Sequence, residues 1–333
     1  MKVLVTGGSG YIAGFLIRQL IEQGWTVHTT LRSLAREAPL RRLLAVPNAR
    51  LHCFAADLNA DAGWAEAVAG CSHVAHLASP LPAGVPKQAD ELILPARDGT
   101  LRVLRAARDA GVQRVVMTSS VAAVAYGRGP GVHHFTEADW TDPSRPGLSA
   151  YIQSKTLAER AARDWIAREG GPVEFCTINP AVVLGPVWSS DHSASVMLVQ
   201  KLLDGRWAAL PRLGFGIVDV RDVADLHVRA LTAPHMHGER FIASGRFMTL
   251  AEIAAVLRAG LGADAARVTR RTLPDWLVRL AAQVSPVARA VVGELGNTRI
   301  QHADHAQAVF GWAPRREEDS ILDCARSLLA LKA

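Results

Sequence analysis

Short apolar runs alternate with longer segments of helical periodicity through the first half of the chain. Val3–Val5, Thr26–Leu31, Arg50–Phe54, His73–Leu77, Val115–Thr118 and Val173–Ile178 predict strands. Between them, Ile12–Gln23, Leu34–Leu44, Ala62–Ala69, Asp98–Ala110 and Tyr151–Arg168 predict helices. Strand and helix in strict alternation imply an α/β fold, a doubly wound parallel sheet with helices on both faces. After Ile178 the pattern changes. Asn179–Pro186 reads as a proline-bounded loop, followed by a helix over Ser193–Asp204, a strand over Gly216–Val220 and a helix over Val223–Leu231. Then come strand-like Arg240–Ala243, a helix over Leu250–Ala259, an amphipathic helix containing Trp276, and closing helices over His302–Phe310 and Asp319–Leu329. Residues 1–180 therefore read as a nucleotide-binding domain and 181–333 as a smaller, mostly helical substrate lobe, with segments near 216–243 returning to the first domain.

The first strand runs directly into Gly7-Gly8-Ser9-Gly10-Tyr11-Ile12-Ala13-Gly14 and then a helix. Strand, glycine turn, helix is the context a Rossmann-type dinucleotide fingerprint requires. Gly7 permits the tight turn, and Gly10 lets the backbone approach a pyrophosphate held on the unpaired N–H groups of the helix N-terminus. Ala13 takes the place of a third glycine, where a methyl still allows close helix–strand packing. The second strand ends in Thr29-Thr30-Leu31-Arg32 with no carboxylate to bind an adenosine ribose. Arg32 suits a 2′-phosphate, with Arg36, Arg41 or Arg42 as helpers, so NADP(H) is favoured over NAD.

Tyr151-Ile152-Gln153-Ser154-Lys155 sets a phenol and an ammonium one helical turn apart. Alone, this spacing is far more often that of a solvated helix face. Beside a nucleotide fold it reads as acid–base chemistry, the ammonium lowering the phenol's pKa from about 10. At 333 residues, 49% hydrophobic and 20% charged, the chain is globular. Its net charge of +6 comes from scattered arginines without interleaved aromatics, which argues against nucleic acid. No apolar stretch is long enough to span a bilayer. Cys53, Cys71, Cys176 and Cys324 lack the spacing of a zinc site or disulfide framework, and His133-His134 and His302/His305 lack metal-ligand partners. A cytoplasmic protein without a metal is expected, as monomer or homodimer.

Together these residues resemble the extended short-chain dehydrogenase/reductase family, in its branch of dihydroflavonol reductases and bacterial aldehyde/ketone reductases. The resemblance rests on Thr6–Ala13, Ala56-Asp57-Leu58, His76-Leu77-Ala78-Ser79-Pro80, Thr118-Ser119-Ser120, the Tyr151–Lys155 motif and Pro180-Ala181-Val182-Val183. It implies that Thr6, Gly7, Ser9, Gly10, Tyr11 and Ile12 face the cofactor, with Asp57 and Leu58 at the adenine. Leu77, Ala78 and Ser79 would pass the ribose and pyrophosphate, Pro180 to Val183 would line the nicotinamide, and Ser195 would reach the cofactor as well. Ser120, Tyr151 and Lys155 would be catalytic. Read alone, Asp57 fits a helix N-cap equally well, and Ser119 or Ser120 a strand-end turn. The expected activity is NADPH-dependent reduction of a small aldehyde or ketone, with Tyr151 as proton donor. The alternatives are an NAD-dependent nucleotide-sugar epimerase or dehydratase and a non-catalytic NADP-sensing regulator. Arg32, and Val124-Ala125-Tyr126-Gly127 in place of the epimerases' Val-Tyr-Gly, lean toward the reductases.

Overall fold

Among the described residues of the computed structural model, 1–80, 86, 88–189 and 193–332, seven parallel strands form the central sheet. In chain order the first part runs β1 (Lys2–Thr6), α1 (Tyr11–Glu22), β2 (Thr26–Leu31), α2 (Glu37–Leu44), β3 (Leu51–Ala55), α3 (Trp64–Val68), β4 (His73–His76), α4 (Asp90–Asp109) and β5 (Arg114–Thr118). It continues through β6 (Gly131–Phe135), α5 (Ala150–Glu169), β7 (Glu174–Pro180), β8 (Val182–Leu184), α6 (Ala194–Leu203), β9 (Leu210–Pro211), β10 (Gly214–Asp219) and α7 (Val220–Thr232). The last part holds β11 (Arg240–Ala243), β12 (Phe247–Thr249), α8 (Leu250–Leu261), β13 (Thr272–Leu273), α9 (Asp275–Ala281), α10 (Pro286–Val292), β14 (Asn297–Gln301), α11 (Asp304–Phe310) and α12 (Glu317–Ala330).

The sheet order is β11-β7-β5-β4-β1-β2-β3, so the winding reverses between β1 and β4. In open α/β sheets that reversal leaves a crevice at the carboxyl ends of the strands, where ligands bind. Leu16, Ile17 and Leu20 of α1 are fully buried with Val223, Ala224 and Leu226 of α7 on one face of the sheet. Val103 and Leu104 of α4 pack with Ala158 and Trp165 of α5 on the other. Burying a large apolar side chain contributes about 1.5–3 kcal/mol, so α1 is held rigidly behind the glycine turn. The second lobe has its own core, in which α6, α8 and α12 contribute Val196, Leu202, Ile253, Leu257, Ile321 and Leu328.

Three features differ from the sequence expectation. Asn179–Pro186 is not simply a loop: β7 runs on to Pro180, and Val182–Leu184 forms β8 against Ile217–Asp219 of β10. The prolines mark strand ends, and the β-branched residues between them pair. Helix α4 begins at Asp90 and carries Pro95, because burial of Leu92, Ile93 and Ala96 outweighs the local propensity. The parallel pair β6–β14 was not expected. Its inward positions on β14 are Asn297, Arg299 and Gln301, polar residues that hide the apolar alternation. The helix containing Trp276 runs over Asp275–Ala281, and the first closing helix over Asp304–Phe310, close to its expected place.

Candidate active site

The turn between β1 and α1 is built by steric necessity. Gly7 has φ +71, a left-handed conformation, and a Cβ there would sit 3.0 Å from the Ala78 Cα. A Cβ on Gly8 would sit 2.1 Å from Thr29 Oγ1, so the turn lies flat on β2. Gly10 is the N-cap of α1 and brings no side-chain cap, which leaves the first N–H groups of the helix, at Tyr11 and Ile12, for an anion. The Tyr11 side chain turns away into the seam between the two lobes, packing against both cores. Its hydroxyl is buried without a partner among the described residues, and burial raises its pKa.

Thr6 and His76 fasten the facing ends of β1 and β4. Leu77 and Ala78 donate their N–H groups to Thr6 Oγ1 (3.0 and 2.9 Å), which in turn lies 2.9 Å from His76 Nδ1. With Thr6 as donor to Nδ1, the ring proton falls on Nε2, 3.2 Å from Thr100 Oγ1, which donates to Ala96 O. Burial, with Lys155 nearby, pushes His76 down to about 3, so the ring is neutral and the chain of donors runs in one direction. Ser79 follows directly, half-buried at the crevice. Asp57 closes an Asx turn, accepting from Asn59 N (2.8 Å) and Nδ2 (2.9 Å). Leu58 is pressed against Gly99 of α4, where a Cβ would approach to 2.6 Å. Arg32 is exposed at the end of β2 and has no partner among the described residues. Arg41 is held elsewhere, by Glu37, Asn48 and the Leu51 carbonyl.

Across the crevice, Ser149 caps α5 by accepting from Ile152 N (3.3 Å) and so places Tyr151 in the first turn. The Tyr151 hydroxyl faces Ser120, and the Lys155 Nζ stands 6.0 Å from the tyrosine ring centroid. Tyr151 keeps 37% of its surface exposed, yet its hydroxyl end is recessed enough for burial to raise its pKa; the Ser120 contact works the other way. The direction is opposite to the lowered phenol pKa expected from the sequence, because burial outweighs the Ser120 contact and Tyr126 adds to it. Lys155 is only 7% exposed, and burial pushes it down to about 8 against the pull of Glu159. It is still protonated at neutral pH. Ser120 Oγ accepts from Ala122 N (3.1 Å) and makes a long contact to the Pro180 carbonyl (3.5 Å).

Pro180 ends β7 beside this serine, and the Ala181 N–H donates to Ala243 O (3.0 Å). Val182 and Val183 continue into β8, aligned with Ile217 and Val218. Ser193 caps α6, bringing Ser195 into the helix's first turn. A cavity of about 30 Å³ lies between Gly8, Ser9 and Gly10 on one side and Trp188, Ser193 and Val196 on the other, so α6 starts over the glycine turn. The uncapped helix end, the flat glycine turn and a second strand ending in arginine fit a phosphate-bearing dinucleotide. Sequence reasoning missed His76 and Thr100 as the lock on the crevice, and Glu159 and Asn179 behind Ser120. The latter two stand one helical turn after Lys155 and directly before Pro180, which is the signal that points to them. Among the described residues no group of three or more His, Cys, Asp or Glu could hold a metal ion, and no helix is long and apolar enough to cross a membrane.

Residues 3–243 match the sequence model of the NAD dependent epimerase/dehydratase family. A cinnamoyl-CoA reductase of Medicago truncatula is 37% identical over 262 residues, 76% of each chain. A dihydroflavonol 4-reductase of Gerbera hybrida is 31% identical over 77% of this chain and 71% of its own. The fold is shared with the yeast methylglyoxal/isovaleraldehyde reductase complexed with NADPH, at a TM-score of 0.82 and 23% identity, over 100% of this chain and 99% of that one.

Proposed function

We propose that this chain, which belongs to the NAD dependent epimerase/dehydratase family, is an NADPH-dependent reductase of small aldehydes or ketones. The observation that carries this reading is the placing of Ser120 and Tyr151 side by side, with the buried Lys155 one turn behind the tyrosine and the segment that starts at Pro180 against the serine. The named relatives at 31% and 37% identity are reductases, which supports the same reaction class.

In this reading each site residue has its own part. The glycine turn and the first N–H groups of α1 hold the pyrophosphate, Asp57 and Leu58 the adenine end, and Arg32 the 2′-phosphate. Pro180 to Val183 would orient the nicotinamide, and Ser195 would reach the cofactor from α6. NADPH, when bound, supplies the hydride. A substrate carbonyl oxygen sits between Ser120 Oγ and the Tyr151 hydroxyl. The serine proton turns to that oxygen and holds it in line, a donor placed where negative charge develops. Tyr151, kept protonated by its raised pKa, then gives its proton to the same oxygen and becomes a tyrosinate. Lys155 stabilises that tyrosinate and bonds the nicotinamide ribose hydroxyls.

The test is NADPH oxidation by the purified protein against a panel of aldehydes, ketones and ketoesters. Turnover with exchangeable NADPH is expected. A tightly bound NAD that copurifies would replace this reading with an epimerase or dehydratase, and NADPH binding without turnover of any of them would replace it with a non-catalytic NADP-sensing regulator.

A further inference from the structure

Glu159 is fully buried in α5, one turn beyond Lys155. Its Oε2 accepts from Ser119 Oγ (2.5 Å) and Asn179 Nδ2 (2.8 Å), and its Oε1 from Arg240 Nε (2.7 Å) and Arg163 Nε (3.3 Å). Two of these donors lead to the catalytic serine. Ser119 is its chain neighbour, and Asn179 Nδ2 also donates to the Ser120 carbonyl (3.1 Å). The two arginines are anchored on their far sides by backbone carbonyls: Arg163 by Gly238 and Glu239, Arg240 by Glu137 and Asp139. Burial pushes the Glu159 carboxyl up, but Arg240, Arg163 and Ser119 outweigh it, so it is ionised.

A buried ion cluster of this kind is costly to assemble and is often no more stable than apolar packing. Stability is therefore a weak reason for its place here. Among the described groups, Lys155 is faced by Tyr151 and Glu159 from its own helix and by the neutral His76 from β4. Glu159 is the carboxylate whose pull on that ammonium opposes burial. We propose that Glu159 is a positioning residue for the Ser120–Tyr151–Lys155 chemistry. Its hydrogen bonds through Ser119 and Asn179 fix Ser120 against Tyr151, and its charge, one helical turn from Lys155, favours the ammonium form of that lysine. The proposal rests on the reductase reading of the site.

The charge arm is read without turnover, by titrating NADPH fluorescence against pH. In the wild type, affinity falls as pH rises through about 8, where Lys155 loses its proton. In Glu159→Gln the fall moves down by about one pH unit or more, the effect of deleting an opposite charge at this spacing. Glu159→Asp, which keeps the charge, restores most of the wild-type position. An unchanged pH dependence in a folded Glu159→Gln protein, whatever its melting temperature, overturns the proposal and leaves Glu159 a structural ion pair. Should Glu159→Gln fail to fold, the hydrogen-bond arm decides. Ser119→Ala lowers kcat by about tenfold with NADPH affinity unchanged, the loss of about one hydrogen bond's positioning; wild-type kcat in that variant refutes the proposal. A wild type that binds NADPH with this pH dependence but reduces no carbonyl removes the reductase reading while leaving the charge arm standing. Carbonyl turnover together with an insensitive Glu159→Gln does the reverse.

Discussion

Replacing Lys155 with methionine should make the protein more stable and less able to hold NADPH. The ammonium is 7% exposed, and burial lowers its pKa from 10.5 to about 8. At about 1.4 kcal/mol per pH unit, the protonated lysine costs the native state on the order of 3 kcal/mol. Because the native pKa lies below the unfolded one, the cost is fully present below about pH 8. It fades as pH rises toward 10.5, where the unfolded chain also loses its proton. Methionine keeps an apolar stem of similar length without the charge. In a chain of 333 residues, about 3 kcal/mol corresponds to about 4 °C in melting temperature from the per-residue unfolding entropy. Thermal melts of the cofactor-free wild type and Lys155→Met across neutral to alkaline pH should therefore differ by about that much at neutral pH and converge as pH climbs. NADPH titrations of the same samples should show about tenfold to a hundredfold weaker binding in the variant, the worth of charge-assisted bonds to ribose hydroxyls. A variant that melts lower at neutral pH, or binds NADPH like the wild type, would refute the placement of a buried, cofactor-facing ammonium.

Arg32→Asp should turn the preference for NADPH over NADH around by about tenfold to a hundredfold, because it exchanges a phosphate partner for a carboxylate. Competitive titration of both cofactors checks it, and an unchanged ratio means that the exposed arginine is only a solvated side chain. Tyr11→Phe should raise stability by about 1 kcal/mol by removing an unpartnered buried hydroxyl, with NADPH affinity unaltered. Weaker NADPH binding in that variant would show that the hydroxyl, and not the backbone at Tyr11, meets the cofactor.

The alternation of strands and helices in the first half was legible because each element obeys its local pattern: Val3–Val5 and Val115–Thr118 are buried on both faces, and α1 carries a continuous apolar stripe. The glycine turn was legible for a local reason as well, since only glycine tolerates the approach of Thr29 and Ala78. What lay hidden depends on partners distant in sequence. Nothing around Asn297–Gln301 announces a strand until Gly131–Phe135 pairs with it. Glu159 looks like any helix glutamate until Arg240, 81 residues later, closes on it. The direction of the Tyr151 shift was misread for the same reason, because burial is a property of the assembled crevice and not of the Tyr151–Lys155 spacing.

The central claim is that the Tyr151 hydroxyl donates the proton during carbonyl reduction. Its most direct test is Tyr151→Phe, assayed for NADPH oxidation with the best carbonyl substrate and, on the same preparation, for NADPH affinity. The account predicts turnover reduced by about 10²–10⁴ with affinity nearly unchanged, since the ring remains and only the proton donor is lost. Wild-type turnover in Tyr151→Phe would contradict it.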